Sequence, residues 1–197
     1  STALHALLKS KNRSIDETVG EYLPQRNDLP ELWKSVKLRQ LLSHTSGIPD
    51  QIDYGIYLAP ESSDFVIASL QDKPFSSEPG EANKYNATGF MLIQLIIEEL
   101  SNQDFETYMQ AHFFDRFKLA NAKYAGYKTV VQNRVTSYRM MGEHFEFFPL
   151  NYSSPMYAGA GLNIDIGELT SWMQAVVNEE ILSKEHLASI WAPEKLN

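Results

Sequence analysis

Apolar positions recur at helical spacing along most of the chain. Leu4, Leu7 and Leu8 form one stripe, and Lys9, Lys11 and Arg13 follow it with the charge that a helix C-terminus favours. Residues 36–43 predict a short helix stopped by Gly47 and Pro49, and residues 62–71 another, capped by Ser62 or Ser63. Between 88 and 100 the pattern changes. Phe90, Met91, Leu92, Ile93, Leu95, Ile96, Ile97 and Leu100 leave almost no polar face, which predicts a helix buried on nearly every side. Phe105, Tyr108, Met109, His112 and Phe113 then repeat at i, i+3, i+4, i+7 and i+8, which places His112 on an apolar face as a core histidine. Asp165 and Glu168 resemble a capping box ahead of Leu169, Trp172, Met173, Val176 and Val177. Ser183 caps a last helix carrying Leu187, Ile190 and Trp191.

Alternation at period two is scarce. Residues 135–148 read as a hairpin turning at Gly142–Glu143, and residues 127–131 as a short extra strand. There is no internal repeat and no low-complexity segment. The expectation is a single domain over residues 1–197, mostly α with a small β-hairpin and too few strands for a large sheet.

Composition narrows the function. An apolar fraction of 43% over 197 residues supports a real core. A net charge of −8 with no basic run argues against nucleic acid or an anionic membrane surface as partner. The absence of cysteine removes disulfides, zinc-thiolate sites and a cysteine nucleophile. No apolar run is long enough to span a bilayer, and no basic segment precedes an apolar one at the N-terminus, so neither a span nor a signal peptide is expected. His5, His44, His112, His144 and His186 show no ligand spacing, so neither a metal nor a cofactor is expected.

Two stretches hold candidate chemistry. Ser43, His44, Thr45 and Ser46 gather hydroxyls and an imidazole, but neighbours in sequence rarely face one another as a nucleophile and base must, and no G-x-S-x-G turn exposes a serine. The favoured reading is a helix end whose side chains satisfy free carbonyls, with Gly47 in a left-handed conformation. Residues 78–100 are more specific. A Pro-Gly turn leads to Tyr85 just before the buried helix, where a phenol could sit at a pocket mouth and act as a general base if a neighbouring ammonium lowers its pKa. The alternative is a half-buried tyrosine with a wet hydroxyl. Glu98–Glu99 and Glu179–Glu180, at helix ends, read as solvated faces.

Four segments in order resemble the serine β-lactamase and penicillin-binding protein superfamily, in its class C β-lactamase, D-aminopeptidase and esterase branch. They are SIDETVGEYLPQ at 14–25, VKLRQLLSHTSGIPD at 36–50, PGEANKYNATGFMLIQLIIEEL at 79–100 and YAGAGLNIDIGELTSWMQAVVN at 157–178. The resemblance implies the helical region of an α+β β-lactamase/transpeptidase-like fold, with most of the large sheet missing. It implies a serine hydrolase that cleaves an amide or ester, such as a β-lactam, a D-amino-acid peptide or an ester, through an acyl-enzyme. It places Tyr85 as the catalytic tyrosine, with Asn86, Tyr157, Gly159 and Gly161 around a small-molecule or peptide substrate. It makes the histidine-threonine-serine-glycine stretch structural support. A periplasmic or extracellular location is implied by the resemblance only.

The departures are specific. No serine is followed by lysine three positions on, Lys128-Thr129 is followed by Val130 rather than glycine, and no His-x-Gly occurs. The S-x-x-K motif is expected upstream of Ser1 and the third motif beyond Asn197, so this chain alone is expected to be inactive. In the Tyr-x-Asn motif, Asn86 falls on the variable position and Ala87 replaces the asparagine. Two rival expectations follow: a non-catalytic binding module on the same scaffold, and a subdomain whose exposed sheet-docking face drives self-association.

Overall fold

The computed structural model describes residues 1–57, 59–126, 128–148, 151–193 and 196. The helices run α1 (Thr2–Lys11), α2 (Val19–Tyr22), α3 (Glu31–Lys34), α4 (Leu38–Leu42), α5 (Ser63–Leu70), α6 (Ala87–Ser101) and α7 (Phe105–Met109). A π-helical turn, Gln110–Phe114, continues α7. Strands β1 (Lys123–Tyr124), β2 (Tyr138–Met141), β3 (His144–Phe147) and β4 (Leu162–Asn163) follow, then α8 (Ile166–Val177) and α9 (Lys184–Trp191). Among the described residues the strands make two antiparallel pairs, β1 with β4 and β2 with β3. The expectation of a helical body with one small hairpin therefore holds, and the β1–β4 pair adds to it.

Helix α6 is the axis of the molecule, packed against α1, α2, α4 and α7. Met91, Leu92, Ile93 and Ile96 are buried at its centre, as its uninterrupted apolar sequence predicts. Each such side chain withdrawn from water contributes roughly 1.5–3 kcal/mol. Trp33, Tyr22, Leu38, Leu41 and Ile48 close the core from the N-terminal half. A smaller cluster, Val176, Leu182 and Leu187, sits between α8 and α9.

Several boundaries move for identifiable reasons. Helix α4 starts at Leu38 because residues before it are extended: Val19 donates to the Val36 carbonyl at 2.8 Å, and Thr18 bridges to Lys37. The strand expected at 127–131 is absent from residues 128–131, Tyr127 lies outside the described residues, and the strand forms instead at Lys123–Tyr124. His112 is exposed, not a core residue. The π-helical turn breaks the 3.6 period that placed it inward, and its ring rests 4.6 Å from that of Tyr108. Glu98 is not a solvated helix end. It is partly buried and accepts from the Gln94 amide at 3.1 Å and the Phe105 N–H at 3.2 Å, and burial pushes its carboxyl pKa up. Asp165 caps α8 by accepting from Glu168 N–H at 2.9 Å, but the box is not reciprocal, because the Glu168 carboxylate accepts from Asn121 N–H instead.

Candidate active site

The site is assembled where the end of α4 meets the start of α6. Gly47 is left-handed (φ 70), as expected, but the left-handed residue that directly ends helix α4 is His44 (φ 58). Thr45 N–H donates to the Gln40 carbonyl at 2.8 Å and Ser43 Oγ to the Arg39 carbonyl at 2.8 Å, which satisfies the helix end. The imidazole does not take part in that cap. Its Nδ1 accepts from the backbone N–H of Asn86 at 3.1 Å. An accepting Nδ1 carries no proton, so the ring is neutral, and burial, against the pull of Asp50, holds its pKa below the ordinary value. A left-handed non-glycine residue costs about 1–2 kcal/mol. The bond to Asn86 and ring contacts with Tyr85 at 4.8 Å and Phe90 at 5.2 Å offset that cost.

Gly47 (φ 70) has a different task. A Cβ there would lie 2.1 Å from the Ser77 carbonyl oxygen, so only glycine lets the 44–50 segment pass beneath the 76–84 loop. Asn83 Nδ2 donates to the Ser43 carbonyl at 2.7 Å, and Lys84 N–H to the His44 carbonyl at 2.9 Å, which fastens the same loop from the other side.

The N-terminus of α6 is capped by two side chains. Asn86 Oδ1 accepts from Gly89 N–H at 2.8 Å, and its Nδ2 donates to the Ile48 carbonyl at 2.6 Å. The buried Asp50 carboxylate accepts from Ala87 N–H at 3.2 Å, at the end of the helix that favours negative charge. Burial pushes the Asp50 pKa up, against these bonds. Asn86 is 5% exposed, and both its amide oxygen and its amide nitrogen are hydrogen-bonded at the helix start.

Tyr85 lies one residue before this cap and is 61% exposed, its ring leaning on His44. The ammonium next to it in sequence, Lys84, is paired with Asp53 at 2.6 Å. Gly159 lies against Phe90, where a Cβ would approach the Phe90 Cβ to 3.2 Å. Tyr85, His44, Phe90 and Gly159 thus form one continuous surface. Gly161 packs under the ring of Tyr157, which is buried and stacked on Tyr124 at 5.2 Å. Tyr157 is a wall of the core rather than an exposed contact. Tyr152, which the sequence did not single out, packs near Gly161, and burial raises its phenol pKa.

The four-residue hydroxyl cluster holds no exposed nucleophile. Ser43 Oγ is spent on Arg39 and on Thr45 Oγ1 at 2.9 Å, and Ser46 is 1% exposed. Among the described residues no group of histidines and carboxylates is arranged to hold a metal ion, and no helix is long and apolar enough to cross a membrane.

A family model named Beta-lactamase matches residues 1–197. The chain is 24% identical to the Bacillus subtilis protein PbpX over 196 residues, which are 98% of this chain and 47% of that protein. Its fold matches that of a D-stereospecific amidohydrolase from Streptomyces with a TM-score of 0.80 at 19% identity, covering 100% of this chain and 63% of that one. It matches an octameric penicillin-binding protein homologue from Pyrococcus abyssi with a TM-score of 0.72 at 23% identity, covering 94% of this chain and 45% of that one. The chain therefore spans about half the length of these relatives.

Proposed function

Because the chain belongs to the β-lactamase family, we propose that it forms the tyrosine side of a serine hydrolase site that cleaves an amide or ester through an acyl-enzyme. The observation that carries this reading is the position of Tyr85. An exposed phenol stands at the N-terminus of the buried helix α6, on a ring-and-backbone support made by His44. A serine from outside these residues attacks the carbonyl, and its proton passes to a lysine and Tyr85. The tetrahedral intermediate collapses to the acyl-enzyme as the leaving group departs, and water then releases the acid. Asn86 is a positioning residue in this scheme, since its amide is committed to Gly89 and Ile48. Gly159 and Gly161 continue the surface past Phe90, with Tyr157 packed against Gly161.

No serine in the sequence has a lysine three positions later, which supports an inactive chain when these residues stand alone. The test is to extend the chain upstream until an S-x-x-K serine is included and to assay D-amino-acid amides, esters and β-lactams. Hydrolysis abolished by replacement of that serine and lowered about 10²- to 10⁴-fold by Tyr85→Phe supports the reading. Turnover indifferent to Tyr85 refutes it.

Ala87 favours a second reading, a binding module without turnover. It is buried and presents a methyl where the resemblance expects a substrate-binding amide. Ligand binding with no turnover in the extended protein would select it.

A further inference from the structure

We propose that the open cleft beside Tyr152 binds a small carboxylate with an apolar flank. Resting on the reading of Tyr85 above, it is then the subsite that receives the substrate's anionic, apolar portion. The cleft has a volume of about 790 Å³ and lies between the 131–137 segment, the edge of the hairpin and β4. That size falls within the roughly 300–1,000 Å³ common for ligand pockets.

Its charge is opposite to that of the molecule. Lys123 and Arg134 both line it, and neither forms an ion pair among the described residues. Arg134 donates only to the carbonyls of Gly126 and Ala125, at 3.4 and 3.5 Å, which are long for a guanidinium. The lining also holds one carboxylate, Asp165, whose negative charge offsets one of the two cations and leaves the cleft net positive. It accepts from Glu168 N–H and from Asn121 Nδ2 at 3.0 Å, and these bonds hold it below the usual carboxylate range. In a chain of net charge −8, two cations without carboxylate partners in one concavity are complementary to an anion.

The rest of the lining is mixed, with polar side chains such as Gln132, Asn133 and Thr136 beside an apolar edge. Phe147 and Leu162 are 65% and 44% exposed, and Val135 is more exposed still. The register Tyr138↔Phe147 and Met140↔Phe145 puts four large side chains on one face of the hairpin, so Phe147 is the cleft edge of a wider apolar surface. Tyr152 and Gly161 both line the cleft, and a Cβ at Gly161 would lie 3.5 Å from the Tyr152 Cβ; Gly159, two residues earlier, lies against Phe90, which joins the cleft to the candidate centre. A guanidinium beside an aromatic wall suits a carboxylate attached to an aryl or branched aliphatic group.

The test is calorimetric titration of the full chain with N-phenylacetylglycine and, separately, with its primary amide. The expected result is saturable binding of the acid and at least tenfold weaker binding of the amide. Arg134→Gln should reduce the acid to the affinity of the amide, while Phe147→Ala should weaken both. No saturable binding of the acid, equal affinity for the two compounds, or an unchanged affinity in Arg134→Gln would overturn the proposal. No turnover is read, so this result stands apart from the Tyr85 assay and either can fail alone.

Discussion

The backbone N–H of Asn86 donates to Nδ1 of His44 at 3.1 Å, across 42 residues of sequence. That bond joins the end of α4 to the start of α6 and requires a neutral imidazole, whose face then supports Tyr85.

The bond makes stability depend on pH with a definite sign. The pKa of His44 is lowered on folding, so between that lowered value and the ordinary 6.5 the unfolded chain binds more protons. Its contribution is complete above 6.5 and is lost as the pH falls. Partly buried His5, whose pKa is lowered by desolvation, acts in the same direction from 6.5 down to about 4. Urea midpoints should therefore fall as pH drops below 6.5, and His44→Asn should flatten the slope. A slope identical to that of the parent would contradict the assigned tautomer.

Asn86→Ala removes the α6 cap and leaves the Ile48 carbonyl buried without its donor. A loss of about 2–4 kcal/mol is expected, read as a lowered urea midpoint with the m-value unchanged. If Asn86 were a free ligand-binding amide, the same change would leave stability nearly untouched.

Gly47→Ala places a methyl 2.1 Å from the Ser77 carbonyl oxygen at a positive φ. The 44–50 segment and the 76–84 loop cannot both keep their paths. A loss of about 3 kcal/mol or more is expected in thermal unfolding, larger than the roughly 1–2 kcal/mol that a positive φ alone would cost.

Helix α8 presents Ile166, Leu169, Met173 and Val177 along one exposed stripe. Self-association through this face is expected to be concentration-dependent in sedimentation velocity, and Met173→Glu with Val177→Lys should shift the chain to monomer. A parent that stays monomeric at high concentration would remove this surface from consideration.

The parts of this structure that were legible in sequence are those set by local pattern. Helix α6 is apolar on nearly every side and is buried, and the hairpin turns at Gly142–Glu143 where its glycine falls. Asn86 was legible in a different sense. Asparagine before a long apolar run is an N-cap signal, while the family resemblance placed the same residue beside a substrate. His112 shows the limit of periodicity, because one π-helical turn rotated it out of the core. The support of Tyr85 by His44 and the convergence of Arg134, Tyr152 and Phe147 on one cleft depend on contacts between distant segments, which no local pattern encodes.

The central claim is that these residues carry the tyrosine half of a serine hydrolase site and no nucleophile. Intact mass spectrometry after incubation with a fluorophosphonate, and separately with a penicillin, tests it most directly. The account predicts an unmodified mass, since Ser43 is hydrogen-bonded and Ser46 is buried. A stoichiometric adduct that maps to a serine of this chain would contradict it.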